Sequence, residues 1–497
     1  MTFLARAATR TGRLAKQRLN QPSSSSSSSS SPKRFYSPEV KTSSVPGPIS
    51  KKVLSEIDRL TDARPSIVAV DYARCRGNYL VDADGNRHLD MFGQIASIAI
   101  GYRNERLEEL AGSEEFRIAV MNRPALGVFP PKGLKELLET GLMSVRPKGL
   151  DHILTANCGS TANESAYKAA CMAYRHRERG HSEFDQDEIT SCMENAKPGS
   201  PQLTIMSFKS GFHGRLFASL STTRSKPIHK LDIPAFDWPA VDWPRLKYPL
   251  EQNVSENQAE VERCLALVEE TIHESKAKGR PVAALVVEPI QSEGGDNHAP
   301  PAFFRGLRDV TKRLGVYMIV DEVQTGVGAT GSFWAHEKWG LTTPPDIVTF
   351  SKKMQAAGYY HTAEMRPSAG YRNFNTWMGD PARSMQARTI IQYIQENGLV
   401  EKTAEVGGKL YGVLEQLGHR FPGLIQSLRG KGEGTFIAFD AETAEKRDSI
   451  VSGLRNVGVL VGASGERAVR LRPMLIFGEK ELDIFSDKFQ AVLKDLA

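Results

Sequence analysis

The sequence predicts an α/β fold built on a mostly parallel central sheet flanked by helices. Three observations carry that expectation. Apolar runs alternate with amphipathic helical stretches from about residue 150 to residue 350. One stretch of that region reads as a complete strand–helix–strand unit. Another reads as a short strand feeding directly into an alanine-rich helix. In chain order, His152-Ile-Leu-Thr155 is the first strand, and the helix after it runs from about Ser160 to Arg177. Polar or proline-rich stretches follow at His181 to Gln202 and Pro234 to Pro249, and both read as loops. The clearest unit starts at Val282-Ala-Ala-Leu-Val-Val287. It continues through a helix that places Phe303, Phe304, Leu307, Val310 and Leu314 on one face, then returns as Val316-Tyr-Met-Ile-Val320. A further strand, Ile347 to Phe350, follows a turn at Pro344-Pro345. The pattern changes over the last hundred residues, where a long helical region precedes strand-like runs at Gly434 to Phe439 and Val469 to Leu475.

A chain of 497 residues, 40% apolar and 25% charged, has room for a sizeable core and for two domains. We expect a leader and serine-rich segment over 1–48, an N-terminal part of a small α+β domain over 49–105, a large domain over 106–384, and the remainder of the small domain over 385–497. Apolar runs such as Val282 to Val287 fall far below the roughly 20 residues a membrane helix needs, so no membrane span is expected. The net charge of +6 invites a nucleic-acid reading, but its location excludes one. Residues 1–38 hold seven Lys and Arg and no acid, so the rest of the chain carries a net −1. That N-terminus, with Arg6, Arg10, Arg13, Lys16 and Arg18 ahead of the serine run Ser23 to Ser31, has the composition of a mitochondrial transit peptide and implies the matrix. Cleavage is expected after Lys33-Arg34-Phe35-Tyr36, with folded structure from about residue 49. Cys75, Cys158, Cys171, Cys192 and Cys264 are odd in number and form no C-x-x-C pair, which reads as free thiols and no metal site.

In an open α/β sheet, ligands gather beyond the carboxyl ends of the strands. Three strands here lead to ionisable groups at that edge: Glu288, Asp321 and Lys352. Taken singly, a strand-end acid is more often a helix cap and a lysine is more often surface. Together, an amine and an acid at neighbouring strand ends suit pyridoxal phosphate, whose aldehyde needs an amine and whose ring nitrogen needs a carboxylate.

The stretches Val320-Asp-Glu-Val-Gln-Thr-Gly326 and Thr349-Phe-Ser-Lys-Lys353 resemble the class III, or ω-amino acid, aminotransferases. Phe212-His-Gly-Arg215, Val287-Glu-Pro-Ile-Gln-Ser-Glu-Gly-Gly295, Phe333-Trp-Ala-His-Glu337 and Asn375-Thr-Trp-Met-Gly-Asp-Pro381 extend the resemblance from about residue 50 to the end. It implies the fold type I architecture of pyridoxal-phosphate transferases, a homodimer with shared active sites, and transfer of an amino group from 4-aminobutyrate to 2-oxoglutarate. Another ω-amino acid (β-alanine, 5-aminovalerate or ornithine) and a catalytically silent structural subunit are the alternatives.

The same resemblance assigns residues. Lys352, which follows the small Ser351, would form the Schiff base, with Lys353 as the alternative. Asp321 would pair with the ring nitrogen. Gly159 and Ser160, at a helix N-terminus suited to anions, would take the phosphate, joined by Thr376 of the neighbouring subunit. Phe212 would stack on the ring and Gln324 would contact its phenolic oxygen. Arg215 would pair with the carboxylate common to both substrates. Glu293 would mask a second arginine whenever the substrate has one carboxylate, because an unpaired buried charge is costly. Arg470 is the best fit for that arginine, and Arg472 the alternative.

One departure bears on metal content. Animal members of the family carry a second cysteine three residues after the position of Cys158 and can hold an iron–sulfur cluster there, whereas this chain has Thr161. With one thiolate in that segment a cluster lacks half its ligands. Purified protein is therefore expected to be free of iron and acid-labile sulfide, and stoichiometric amounts of both in elemental and sulfide assays would overturn that expectation.

Overall fold

A computed structural model describes residues 37–497. The leader expected over the first part of the chain lies outside the described residues, apart from its last stretch. That stretch is tied to the body ahead of the expected start near residue 49. Glu39 bridges Arg87 through the backbone, and the Lys41 and Thr42 amides donate to Asn86 Oδ1 at 2.7 and 3.2 Å. The helix Pro48–Asp58 follows, its Ile49 and Ser50 amides received by the Asp84 carboxylate at 2.7 and 2.8 Å. Strands β1 (Tyr79–Val81) and β2 (Arg87–Asp90) then pair antiparallel.

The central sheet uses β3 (His152–Ala156), β4 (Thr204–Phe208), β5 (Ala240–Val241), β6 (Val282–Val287), β7 (Tyr317–Asp321), β8 (Ile347–Phe350) and β9 (Ala357–His361), in the order β3-β9-β8-β7-β6-β4-β5. The run from β8 to β5 is parallel, and β9 opposes both of its neighbours. All residues of β6, β7 and β8 are buried, because helices cover both faces; hence their unbroken apolar character. The period of two is visible in β7: Met318 and Val320 enter one core with Phe303, Leu307 and Phe350, while Tyr317 and Ile319 enter another against Ala166, Ala169 and Ala170 of the helix Gly159–Arg179. The small side chains on that helix let it lie close to the sheet.

Beyond the helices Pro381–Glu396 and Leu399–Arg420 come β10 (Gln426–Arg429), β11 (Ile437–Asp440), β12 (Val459–Leu460), β13 (Gly462–Ser464) and β14 (Ala468–Leu471). Four of them form an antiparallel sheet, β10-β11-β14-β13, while β12 runs parallel to β2 and so joins the two ends of the chain. A separate core gathers Leu410, Phe439, Phe485 and Phe489 with Leu89 and Met91 from the N-terminal part. Ile390, Ile391 and Ile394 pack instead in the core of the central sheet.

Two stretches expected to be loops contain regular structure. Within His181 to Gln202 lies the helix Gln186–Met193, opened by a reciprocal cap in which the Glu188 amide donates to Asp185 Oδ1 (2.7 Å) and the Asp185 amide donates to Glu188 (3.3 Å). Within Pro234 to Pro249 lies β5, held by pairing with β4 at the sheet edge.

The strand ends that carry function are braced from below. Asp346, just before β8, takes Arg308 Nη1 at 2.7 Å and the Met318 amide of β7 at 2.8 Å, and both side chains are buried. Arg308→Met leaves this carboxylate buried without its cation, which costs about 3 kcal/mol or more. The guanidinium unfolding midpoint is expected to fall clearly; an unchanged midpoint would show the pair to be dispensable.

Candidate active site

The carboxyl ends of β6, β7 and β8 bring Glu288, Asp321 and Lys352 into one electrostatic neighbourhood. Asp321 is 5% exposed and fully engaged. Its Oδ2 accepts His213 Nδ1 and Asn163 Nδ2, each at 2.8 Å, and its Oδ1 accepts the Val323 amide at 3.0 Å. Asn163 Nδ2 also donates to the His213 carbonyl at 2.8 Å, so a helix, the loop after β4 and the turn after β7 together fix one carboxylate. Glu288 takes the amides of Phe212 (2.8 Å) and Ser292 (3.2 Å), which sets the loop carrying Phe212. Burial, helped by the charge of Asp321, pushes the Glu288 carboxyl up to about 7.

Lys352 follows β8 with a left-handed backbone, φ 47°, a conformation that costs a non-glycine residue about 1 kcal/mol. The two adjacent lysines consequently part. Lys353 is buried, and its Nζ donates to the Gln324 carbonyl. Lys352 keeps no such tie among the described residues and lines a polar cavity of about 460 Å³ with Arg123, Asn157 and Asp380. Burial lowers its amine to about 8, with Arg470 pushing the same way and Asp321 and Glu288 opposing. A larger cleft of about 880 Å³, between the helices Val254–Ala277 and Leu399–Arg420, holds none of the residues assigned from sequence.

The helix Gly159–Arg179 points its N-terminus at this edge of the sheet, with no acid in its first turn. Its first amides have no helical acceptor and carry roughly half a positive charge. A Cβ on Gly159 would meet Val323 Cγ1 at 2.7 Å, so a glycine is needed where the helix start crosses the loop after β7. Thr161 Oγ1 accepts the Cys158 amide at 2.9 Å and acts as a local cap. Thr376 is exposed, beside Trp377, whose carbonyl receives Asn157 Nδ2 at 3.1 Å.

The two candidate arginines differ in how their donors are used. Every nitrogen of Arg472 has a partner: Nε donates to Gln324 Oε1 (3.0 Å), Nη1 to the Leu471 carbonyl (2.8 Å) and Nη2 to Asp296, with the guanidinium over the Phe436 ring. Arg470 donates to Glu293 at 2.8 Å and only weakly to the Ser292 carbonyl (3.4 Å), and its buried Nε has no partner among the described residues. Burial alone would raise the Glu293 carboxyl, but Arg470 and Lys226 hold it below the usual carboxylate value. Arg215 is exposed and donates to His229 Nε2 at 3.1 Å, and burial followed by the Arg215 charge lowers the pKa of that imidazole.

The same chain has close counterparts among known proteins. The family model described as Aminotransferase class-III matches residues 61–493. The chain belongs to the class III aminotransferases. A Mycosarcoma maydis protein named 4-aminobutyrate aminotransferase is 57% identical to this class III aminotransferase over 505 residues, covering 100% of the chain and 99% of that protein. A Sus scrofa protein named 4-aminobutyrate aminotransferase, mitochondrial, is 45% identical over 461 residues, covering 93% and 92%. Among solved structures, a lysine aminotransferase from M. tuberculosis superposes with a TM-score of 0.79 at 29% identity, over 90% of this chain and 100% of that one.

Class III aminotransferases use pyridoxal phosphate, and the residues present fit it. The chemistry of the donor set matches: an amine free to react, a fixed buried acid, a flat aromatic on the adjoining loop, and a helix N-terminus kept clear of acids. Sequence reasoning missed His213, Asn163, Lys226 and His229, although His213 stands inside the Phe212 to Arg215 motif. Because an amine must be neutral to attack an aldehyde, the rate at which cofactor-free protein takes up pyridoxal phosphate is expected to rise with pH and level off above about 8. A rise continuing toward the 10.5 of an ordinary lysine would contradict this environment.

Proposed function

We propose that this class III aminotransferase moves the amino group of 4-aminobutyrate to 2-oxoglutarate, releasing succinate semialdehyde and glutamate in two half-reactions. The observation that carries the reading is the unequal state of two arginines: Arg215 open to the exterior, and Arg470 buried against Glu293. A site with one available and one masked guanidinium accepts a monocarboxylate, and accepts a dicarboxylate once the mask is withdrawn. The name shared by relatives at 45–57% identity supports the same substrate.

In this reading Lys352 holds the cofactor, with Lys353 tied to Gln324 and out of reach. Asp321, fixed by His213 and Asn163, would pair with the ring nitrogen and favour its protonated form, and Gln324, oriented by Arg472, would contact the phenolic oxygen. Gly159 and Ser160 would receive the phosphate at the helix N-terminus, and Phe212 would lie against the ring. Bound pyridoxal phosphate supplies an electron sink for the electrons of the broken carbon–hydrogen bond. Lys352 Nζ would move the proton of the amine-bearing carbon, a task for which an amine lowered to about 8 is suited. Arg215 grips the distal carboxylate with two parallel hydrogen bonds, and Arg470 grips the α-carboxylate of 2-oxoglutarate after leaving Glu293. Two copies of the chain form a dimer in which Thr376 reaches the neighbour's phosphate, and the working place is the mitochondrial matrix. The basic, serine-rich N-terminus and the mitochondrial designation in the names of the Sus scrofa and Mus musculus relatives support that address.

Two measurements test the reading. Initial rates with both substrates varied are expected to give parallel double-reciprocal lines, and enzyme given 4-aminobutyrate alone should release one equivalent of succinate semialdehyde; converging lines would count against it. Arg215→Lys is expected to reduce kcat/KM for both half-reactions by about tenfold or more through loss of the bidentate grip, and full activity in that variant would remove Arg215 from its role.

A further inference from the structure

Glu293 has two cations, not one. Its Oε2 accepts Arg470 at 2.8 Å, and its Oε1 accepts Lys226 Nζ, also at 2.8 Å. Side-chain exposure grades across the trio, 4% for Arg470, 19% for Glu293 and 36% for Lys226. Lys226 opens the short turn Pro227–His229, and His229 at the end of that turn contacts Arg215. The turn is anchored at both sides: the Arg224 amide donates to the Gly211 carbonyl at 2.7 Å, and Lys230 Nζ donates to the Leu220 carbonyl. One rigid turn therefore touches the counter-ion of the masked arginine and the open arginine itself.

A mask made of a single ion pair faces a difficulty. If Arg470 leaves Glu293 for an incoming carboxylate, a largely buried carboxylate is stranded, and the loss offsets what the arginine gains. A second cation removes that difficulty, because the carboxylate stays paired throughout. We propose that Lys226 is the resting partner of Glu293 in the dicarboxylate-bound state, a positioning residue that lowers the cost of releasing Arg470 and so sets the preference for two-carboxylate over one-carboxylate ligands. This rests on the two-arginine reading above. Lys226 acts through Glu293 and not on the ligand, which separates it from Arg215 and Arg470.

The test uses the cofactor-loaded enzyme and two unreactive probes: butyrate, with one carboxylate, and glutarate, with two. Each is titrated calorimetrically, and the quantity read is the ratio of the butyrate Kd to the glutarate Kd. Lys226→Met is expected to lower that ratio about fivefold, the scale of a half-exposed ion pair, and Lys226→Arg to restore it. In a Glu293→Gln background, where no charge needs a resting partner, Lys226→Met should leave the ratio where Glu293→Gln alone puts it. Cofactor absorbance and melting temperature confirm that each variant is folded and loaded. An unchanged ratio in Lys226→Met overturns the proposal, as does an equal loss in the Glu293→Gln background, which would mean that Lys226 touches the ligand. A wild-type enzyme that does not distinguish glutarate from butyrate would instead sink the two-arginine reading itself.

Discussion

Everything in the site hangs from the carboxylate at the end of β7. Asp321 is buried, and burying a carboxylate without partners is prohibitive. The fold meets that demand with His213 from the loop after β4, Asn163 from the helix Gly159–Arg179, and an amide of its own turn. Because those donors come from three elements, the acid also locks those elements together. The parallel register of β7 and β8 then sets Thr349 opposite Asp321, so the lysine that follows β8 emerges beside the acid. Acid and amine are neighbours by strand pairing, and their sequence separation is only the crossover between two adjacent strands.

Several charges of the site compensate one another, and Arg470 is less completely paired than Arg472. Asp296 and Arg472 neutralise each other beneath Gln324, and Arg429 reinforces that corner through the Gly295 and Asp296 carbonyls. Arg470 Nε is buried without an acceptor among the described residues, and its main bond is to an acid that also pairs with Lys226. A buried donor left without an acceptor costs free energy that a new acceptor would recover. Arg470 and Arg472, only two residues apart at one strand end, therefore differ in how far their donors are already used.

Much of this was legible in the chain itself, for physical reasons. Strands β6, β7 and β8 are covered on both faces, so their apolar runs and terminal charges stand out against the helices between them. The small residues of the helix after β3 showed in the same way. What was not legible depended on contacts between distant residues. His213 and Asp321 are 108 positions apart, and Asn163 and Asp321 are 158 apart, so nothing local marks them as partners. The difference in bonding between Arg470 and Arg472 likewise depends on partners some 150 to 180 residues away. The helix Gln186–Met193 is a different case: its Asp185-x-x-Glu188 cap was present in the sequence but lay among polar residues that suggested a loop.

The strap formed by residues 37–46 sets a boundary of its own. Glu39 adds a rung beside β2, Thr42 and Lys41 seal Asn86, the Val45 amide reaches the side chain of Asn456, and a Cβ on Gly458 would strike Pro38 at 2.8 Å. Any maturation enzyme that shortens this polypeptide from the front must halt before that belt, since trimming further would unbuckle the seam where β2 and β12 bring the beginning and the end of the chain together.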